Sequence, residues 1–97
     1  MESDLRQKIV GNFLKAAREK AGLTQQEVAV RMRYSTPQFV SNWERGLALP
    51  PIDALPRIVR VLRISPKSLV DTLHRYQDEN LKVRKREVAD VFRKNLH

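Results

Sequence analysis

Apolar residues along the chain recur at intervals of three and four, the period of an α-helix. Leu5, Ile9, Phe13 and Ala16 form one stripe, flanked by Val10, Leu14 and Ala17, and predict a first helix over about residues 4–20. Ser3 can cap it, and Gly22 ends it after basic Arg18 and Lys20. Thr24-Gln25-Gln26-Glu27 reads as a capping box, with the Thr24 hydroxyl on the N3 amide and Glu27 reaching back. The helix it opens is short, about 25–32, with Val28, Ala29 and Met32 inward.

Ser35-Thr36-Pro37-Gln38 is a second start signal. Either Ser35 caps with Gln38 at N3, or Thr36 caps with Pro37 at N1. That helix runs to about Arg45 and stops at Gly46. Thr36, Val40 and Trp43 share one face, with Phe39 at its edge, read as a core-edge residue with an outward apolar contact as the alternative. Pro37, Gln38, Ser41, Asn42 and Arg45 lie opposite. Pro50-Pro51 makes a loop of residues 47–51. A fourth helix, about 53–62, turns Leu55, Ile58, Val59 and Leu62 inward and holds Pro56 in its first turn. Ser65-Pro66 opens a fifth.

No glycine or proline follows Lys67. The tail is one helix, roughly 45 Å long at 1.5 Å per residue, or two with a break near Asp78-Glu79-Asn80. Its second half carries an apolar stripe of Leu81, Val88, Phe92 and Leu96 with Val91 adjacent, opposite Lys82, Arg84, Lys85, Arg86, Arg93 and Lys94.

Composition narrows the partners. The 97 residues are enough for one domain with one core. The net charge of +8 favours a polyanion, of which nucleic acid is the commonest. The absence of cysteine removes disulfides, thiolate metal sites and a thiol nucleophile. His74 and His97 form no ligand-spaced cluster, so neither a metal nor a cofactor is expected. No apolar run approaches the roughly 20 residues of a membrane span. The acidic start, Met1-Glu2-Ser3-Asp4, lacks a secretory signal. The expected location is therefore the cytoplasm, on the nucleoid, with no membrane partner. No nucleophile–base pair or phosphate-cradling loop points to an enzyme.

The candidate chemistry lies on the third helix. Gln38, Ser41, Asn42 and Arg45 are all hydrogen-bonding and none is acidic. Amides pair with adenine in bidentate fashion, and arginine with guanine or phosphate. A helix enters the major groove, and helix N-termini present amides to phosphates, a contact open to Gln25. Ordinary solvation of a polar face is the alternative.

Three segments carry a resemblance. From Arg18 to Leu69 the chain resembles a Cro/repressor-type helix-turn-helix domain of the lambda-repressor-like (XRE) family, through AAREKAGLTQQEVAVRM, FVSNWERGLALP and ALPRIVRVLRISPKSLV. The resemblance implies an all-α, five-helix DNA-binding domain over residues 1–71, with the helix-turn-helix at about 24–45. Residues 72–97 are then a C-terminal helical extension. By position, Pro37, Gln38 and Asn42 would face bases, and Arg45 either a base or a phosphate. Gln25, Thr36 and Ser41 would contact the DNA backbone. Val40 and Trp43 form the inward face, Ala29 stands where the two helices cross, and Arg18 and Glu44 match a buried ion pair.

Three departures stand out. The turn is one residue long in excess, Arg33 replaces the usual glycine, and Pro37 replaces a polar reader. Either the longer turn relieves Arg33 of a positive φ, or Arg33 is strained there and aimed at the DNA backbone. Pro37 offers only apolar contact, as to a thymine methyl.

The tail has three readings: pairing with its twin, folding back on its own domain, or adding phosphate contacts. The expected function is a sequence-specific regulator of transcription on double-stranded DNA, a repressor, acting as a homodimer through the C-terminal helix. Control would come from concentration, a regulatory protein partner or proteolysis. The alternatives are a protein-interaction adaptor on the same fold and a sequence-neutral nucleic-acid-binding protein.

Overall fold

The capping box of Thr24 forms as its spacing predicts. The Thr24 hydroxyl accepts from the Glu27 amide at 3.0 Å, and the Glu27 carboxylate accepts from the Thr24 amide at 2.9 Å. These bonds open the second of five helices in a computed structural model that describes residues 6–95. The helices are α1 (Gln7–Lys20), α2 (Gln25–Arg31), α3 (Gln38–Glu44), α4 (Leu55–Leu62) and α5 (Pro66–Asn95), with a 3₁₀ turn at Ile52–Ala54 before α4. The predicted cap Ser3 and stripe residue Leu5 lie outside the described residues, as do Leu96 and His97.

Each of the first four helices ends at a residue with positive φ: Gly22 (74°), Arg33 (64°), Gly46 (73°) and Arg63 (56°). After each, the next amide reaches back to close the helix. Leu23 donates to the Arg18 carbonyl at 3.1 Å and Tyr34 to Ala29 at 2.9 Å. Leu47 donates to Asn42 at 2.9 Å and Ile64 to Val59 at 3.2 Å. This arrangement satisfies terminal carbonyls that would otherwise be orphaned. Glycine adopts the conformation freely, whereas each arginine bears a steric cost of about 1–2 kcal/mol.

The core draws on every helix. Val10 and Leu14 come from α1, Val28 and Ala29 from α2, and Met32 from the turn that follows. Val40 and Trp43 come from α3, Ile58 and Leu62 from α4, and Leu69 from α5. Ala16, placed on the buried stripe by periodicity, is exposed; Gly11 takes its share of the interior instead. α4 begins with its proline in the first turn, where the missing amide costs nothing.

α5 is one unbroken helix of 30 residues, so no break occurs at Asp78-Glu79-Asn80. The Ser65 hydroxyl caps it by accepting from the Ser68 amide at 3.1 Å. The division expected at residues 71 and 72 falls inside this helix. Its first turns bury Leu69 and Thr72 against the domain, and its distal half projects. The molecule measures 56 × 29 × 22 Å, with a radius of gyration of 16.1 Å. A compact chain of this length would have about 13 Å. Asn80 and Val83 are half-buried and Arg6, just before α1, lines a cleft with Gln77, Leu81 and Arg84, whereas Val88, Val91 and Phe92 further along α5 are exposed. No helix among the described residues is long and apolar enough to cross a membrane.

Candidate nucleic-acid interface

α3 is held from behind by α1. A side chain at Gly11 would collide with the Trp43 carbonyl oxygen and approach that of Glu44 at 2.8 Å, so the two backbones meet where only hydrogen fits. This approach seats Val40 and Trp43 in the core and brings Glu44 to Arg18.

The Arg18 Nε donates to Glu44 Oε2 at 2.6 Å and its Nη2 to Oε1 at 3.0 Å, a bidentate pair. Its Nη1 donates to the Leu23 carbonyl at 2.8 Å. Glu44 Oε1 also accepts from Gln25 Nε2 at 3.0 Å. One buried carboxylate therefore joins α1, the start of α2 and the end of α3. The hydrogen bond to Glu44 raises the Arg18 pKa against the lowering effect of burial, and the guanidinium stays charged. Among the described residues no buried side-chain nitrogen or oxygen lacks a partner. The predicted Arg18–Glu44 pair is thus present. Gln25, expected at the DNA backbone, spends its amide nitrogen on Glu44 and keeps its backbone amide at the helix start.

With Glu44 turned inward, α3 presents no carboxylate outward. Gln38 and Arg45 are exposed, and Ser41 and Asn42 are half-buried. Gln38 Nε2 donates to Asn42 Oδ1 at 2.9 Å, one helical turn apart. That bond does not engage Gln38 Oε1 or Asn42 Nδ2. Arg45, at the C-terminal end of the same face, adds a fork of donors.

The turn between the two helices differs from both starts considered. α3 begins at Gln38, with Pro37 half-buried at the position before it and no side-chain cap from Pro37. Neither Ser35 nor Thr36 is the capping residue as predicted, because Pro37 is outside the helix (ψ 6°) and not its first residue. Thr36 still accepts from the Gln38 amide at 3.2 Å. Arg33 retains φ 64°, so the additional residue does not relieve it of the left-handed conformation. Within the turn, the Tyr34 ring packs edge-on against Trp43 at 5.9 Å and tilted on Phe39 at 5.1 Å.

Phe39 is the main correction. Periodicity puts it at the core edge, but 57 % of it is exposed, which favours the outward alternative. About 100° around the helix from buried Val40, it rests on the Tyr34 ring at the border of the outward face. The Phe39–Tyr34 contact had no sequence signal, since it depends on the path of the turn. The Gln38–Asn42 bond did have one, in its i, i+4 spacing. No group of acidic or histidine side chains among the described residues could hold a metal ion.

Comparison with known proteins agrees with this geometry. A helix-turn-helix family model matches residues 14–69. An uncharacterized HTH-type transcriptional regulator of Mycobacterium tuberculosis is 37 % identical over 59 residues, 61 % of this chain and 41 % of its own length. The chain thus spans about two fifths of that relative. Another, y4dJ of Sinorhizobium fredii, is 39 % identical over 67 residues, 69 % of this chain and 84 % of its own. Among solved structures, the clp gene regulator ClgR of Corynebacterium glutamicum matches with a TM-score of 0.61 and 25 % identity, covering 78 % of this chain and 92 % of that one. The restriction-modification controller protein C.Esp1396I matches with a TM-score of 0.56 and 29 % identity, covering 84 % and 98 %.

Proposed function

Because the chain belongs to the helix-turn-helix family, we propose that it is a DNA-binding transcriptional regulator that reads double-stranded DNA in the major groove with α3. The observation that carries this reading is the inward turn of Glu44. The single carboxylate of α3 is neutralised by Arg18, and the outward face offers Gln38, Ser41, Asn42, Arg45 and the edge of Phe39, none of them acidic. An acid on that face would repel phosphate, whereas amides and a guanidinium match base edges.

In this reading Gln38, Asn42 and Arg45 contact bases, with Pro37 as an apolar neighbour. The Gln38–Asn42 hydrogen bond orients two amides as one unit, which suits recognition of adjacent base pairs. Arg33, Thr36, Ser41 and the α2 start at Gln25 flank this face and contact phosphates. Phosphate contacts supply salt-dependent affinity, and base contacts supply sequence preference.

The regulator acts as a homodimer through α5, whose exposed Leu81, Val88, Val91 and Phe92 want a cover. It works on the chromosome, in the cytoplasm, and represses by occupying a site that another protein needs. Selection of bound duplexes from a random pool tests the reading. A palindromic consensus with half-sites about one helical turn apart, or a multiple, is expected. Equal affinity for all duplexes would instead establish sequence-neutral binding, and no binding at low salt would leave the adaptor reading in its place.

A further inference from the structure

α4 and the beginning of α5 leave an apolar groove between them, walled by Leu55, Val59, Leu69, Val70 and Leu73, with Ile52 at its lip. Ile52 is 85 % exposed and Val70 46 %. The groove continues into a longer feature. At about 100° per residue, Val70, Leu73, Leu81, Val88, Val91 and Phe92 fall on one stripe of α5 roughly 100° wide. One end of the stripe forms a wall of the groove. At the other end Val88, Val91 and Phe92 are exposed.

We infer that two copies pair their α5 helices antiparallel about a two-fold axis within a turn of Leu81, so that Val88, Val91 and Phe92 of each copy fill the α4–α5 groove of the other. This rests on the dimer proposed above and specifies its seat.

The spacing of the stripe carries the inference. Val70 and Phe92 stand symmetrically about Leu81, about 16 Å to either side at 1.5 Å per residue. Antiparallel pairing therefore brings the projecting end of one helix over the groove of the other, and the reverse. Gln77 and Arg84, the polar positions on the stripe, then face each other and not an apolar residue. Asp78 and Lys85, on the adjoining flank, are also nearly symmetric about Leu81, so each Lys85 meets the Asp78 of the second copy, twice over. In parallel pairing every residue would meet its own counterpart. On the seam Arg84 would lie against Arg84, and both grooves would stay open. Both arrangements are closed two-fold pairs, but the antiparallel one fills both grooves and sets opposite charges together.

Because the chain has no cysteine, single-cysteine variants report the register without background. Leu81→Cys, Val70→Cys and Val91→Cys each alter an exposed side chain. The full-length variants are oxidised and run on a non-reducing gel, and the unmodified protein is sedimented alongside. Leu81→Cys is expected to form a disulfide-linked dimer. Val70→Cys and Val91→Cys are expected to link in a mixture but not alone, since a disulfide needs Cα atoms within about 7 Å. Self-linking of Val91→Cys with no link in the mixture would overturn the antiparallel register while leaving the dimer intact. Sedimentation as a monomer at all concentrations would overturn the dimer itself.

Discussion

Arg18 and Glu44, separated by 26 residues in sequence, meet in a bidentate pair of 2.6 and 3.0 Å, with the Arg18 side chain 13 % exposed and that of Glu44 4 %. Each exists for the other, because removing one strands a buried charge. Glu44→Ala is expected to destabilise the fold by about 3–5 kcal/mol. Arg18→Ala should cost a similar amount, and the double variant should cost less than the sum. Urea denaturation of the four proteins measures the coupling. Additive losses would show that the pair acts as two independent residues.

Gly11 offers a test whose sign is informative. Alanine in a helix interior is normally better than glycine by about 1 kcal/mol. Here the methyl group would run into the carbonyls of Trp43 and Glu44, which belong to backbone and cannot swing aside. Gly11→Ala should therefore destabilise, by about 1–3 kcal/mol for overpacking. A raised melting temperature would mean that α1 and α3 lie further apart.

Arg33 separates stability from binding. Its φ of 64° is a left-handed conformation that glycine adopts without cost. Arg33→Gly should stabilise the protein by up to about 1 kcal/mol. If Arg33 contacts a phosphate, the same change weakens DNA binding and lowers the salt slope by about 1. Unfolding curves and salt titrations of binding read the two effects independently.

Asn42→Ala should cost about 1–3 kcal/mol on the selected duplex and relax preference at one base position. It also removes the acceptor that orients Gln38, so the neighbouring position should relax as well. Binding measured on single-base variants of the consensus checks both. Equal losses on consensus and random DNA would remove Asn42 from the readers.

The capping box predicts a pH effect. The hydrogen bond donated by the Thr24 backbone amide, and after it one with the Thr24 side chain, holds the Glu27 pKa below its ordinary value of 4.5. A carboxyl lowered in the folded state stabilises most above its unfolded pKa and loses that contribution as pH falls through the folded value. Stability should thus decline below about pH 4.5, and Glu27→Ala should remove this part of the decline. Melting temperatures of both proteins between pH 3 and 7, roughly the span of carboxylate titration, test it.

The sequence was most legible where structure is local. The capping box at Thr24, the Ser65 cap, Gly22 and Gly46 as stops, and the inward faces of α2, α3 and α4 depend on neighbours within a turn or two. Arg18 and Glu44 were legible for a different reason, through the resemblance carried by the words around them. Phe39 was not, because periodicity puts it at an edge and only the path of Tyr34 decides which side of the edge is open. Gly11 was also missed, since its role is to make room for a backbone 32 residues or more away in the chain.

The sequence by itself determined an all-helical chain, the approximate extent of its helices and the polar, acid-free outer face of α3, because hydrophobic period, caps and side-chain chemistry are properties of short segments. Tertiary structure decided that Arg33 keeps its left-handed turn, that Gln25 binds Glu44, that Phe39 stands open beside Asn42, and that α5 runs unbroken out of the domain. These depend on how helices cross and where backbones touch. Packing sets those distances through many residues at once, and no single segment encodes them.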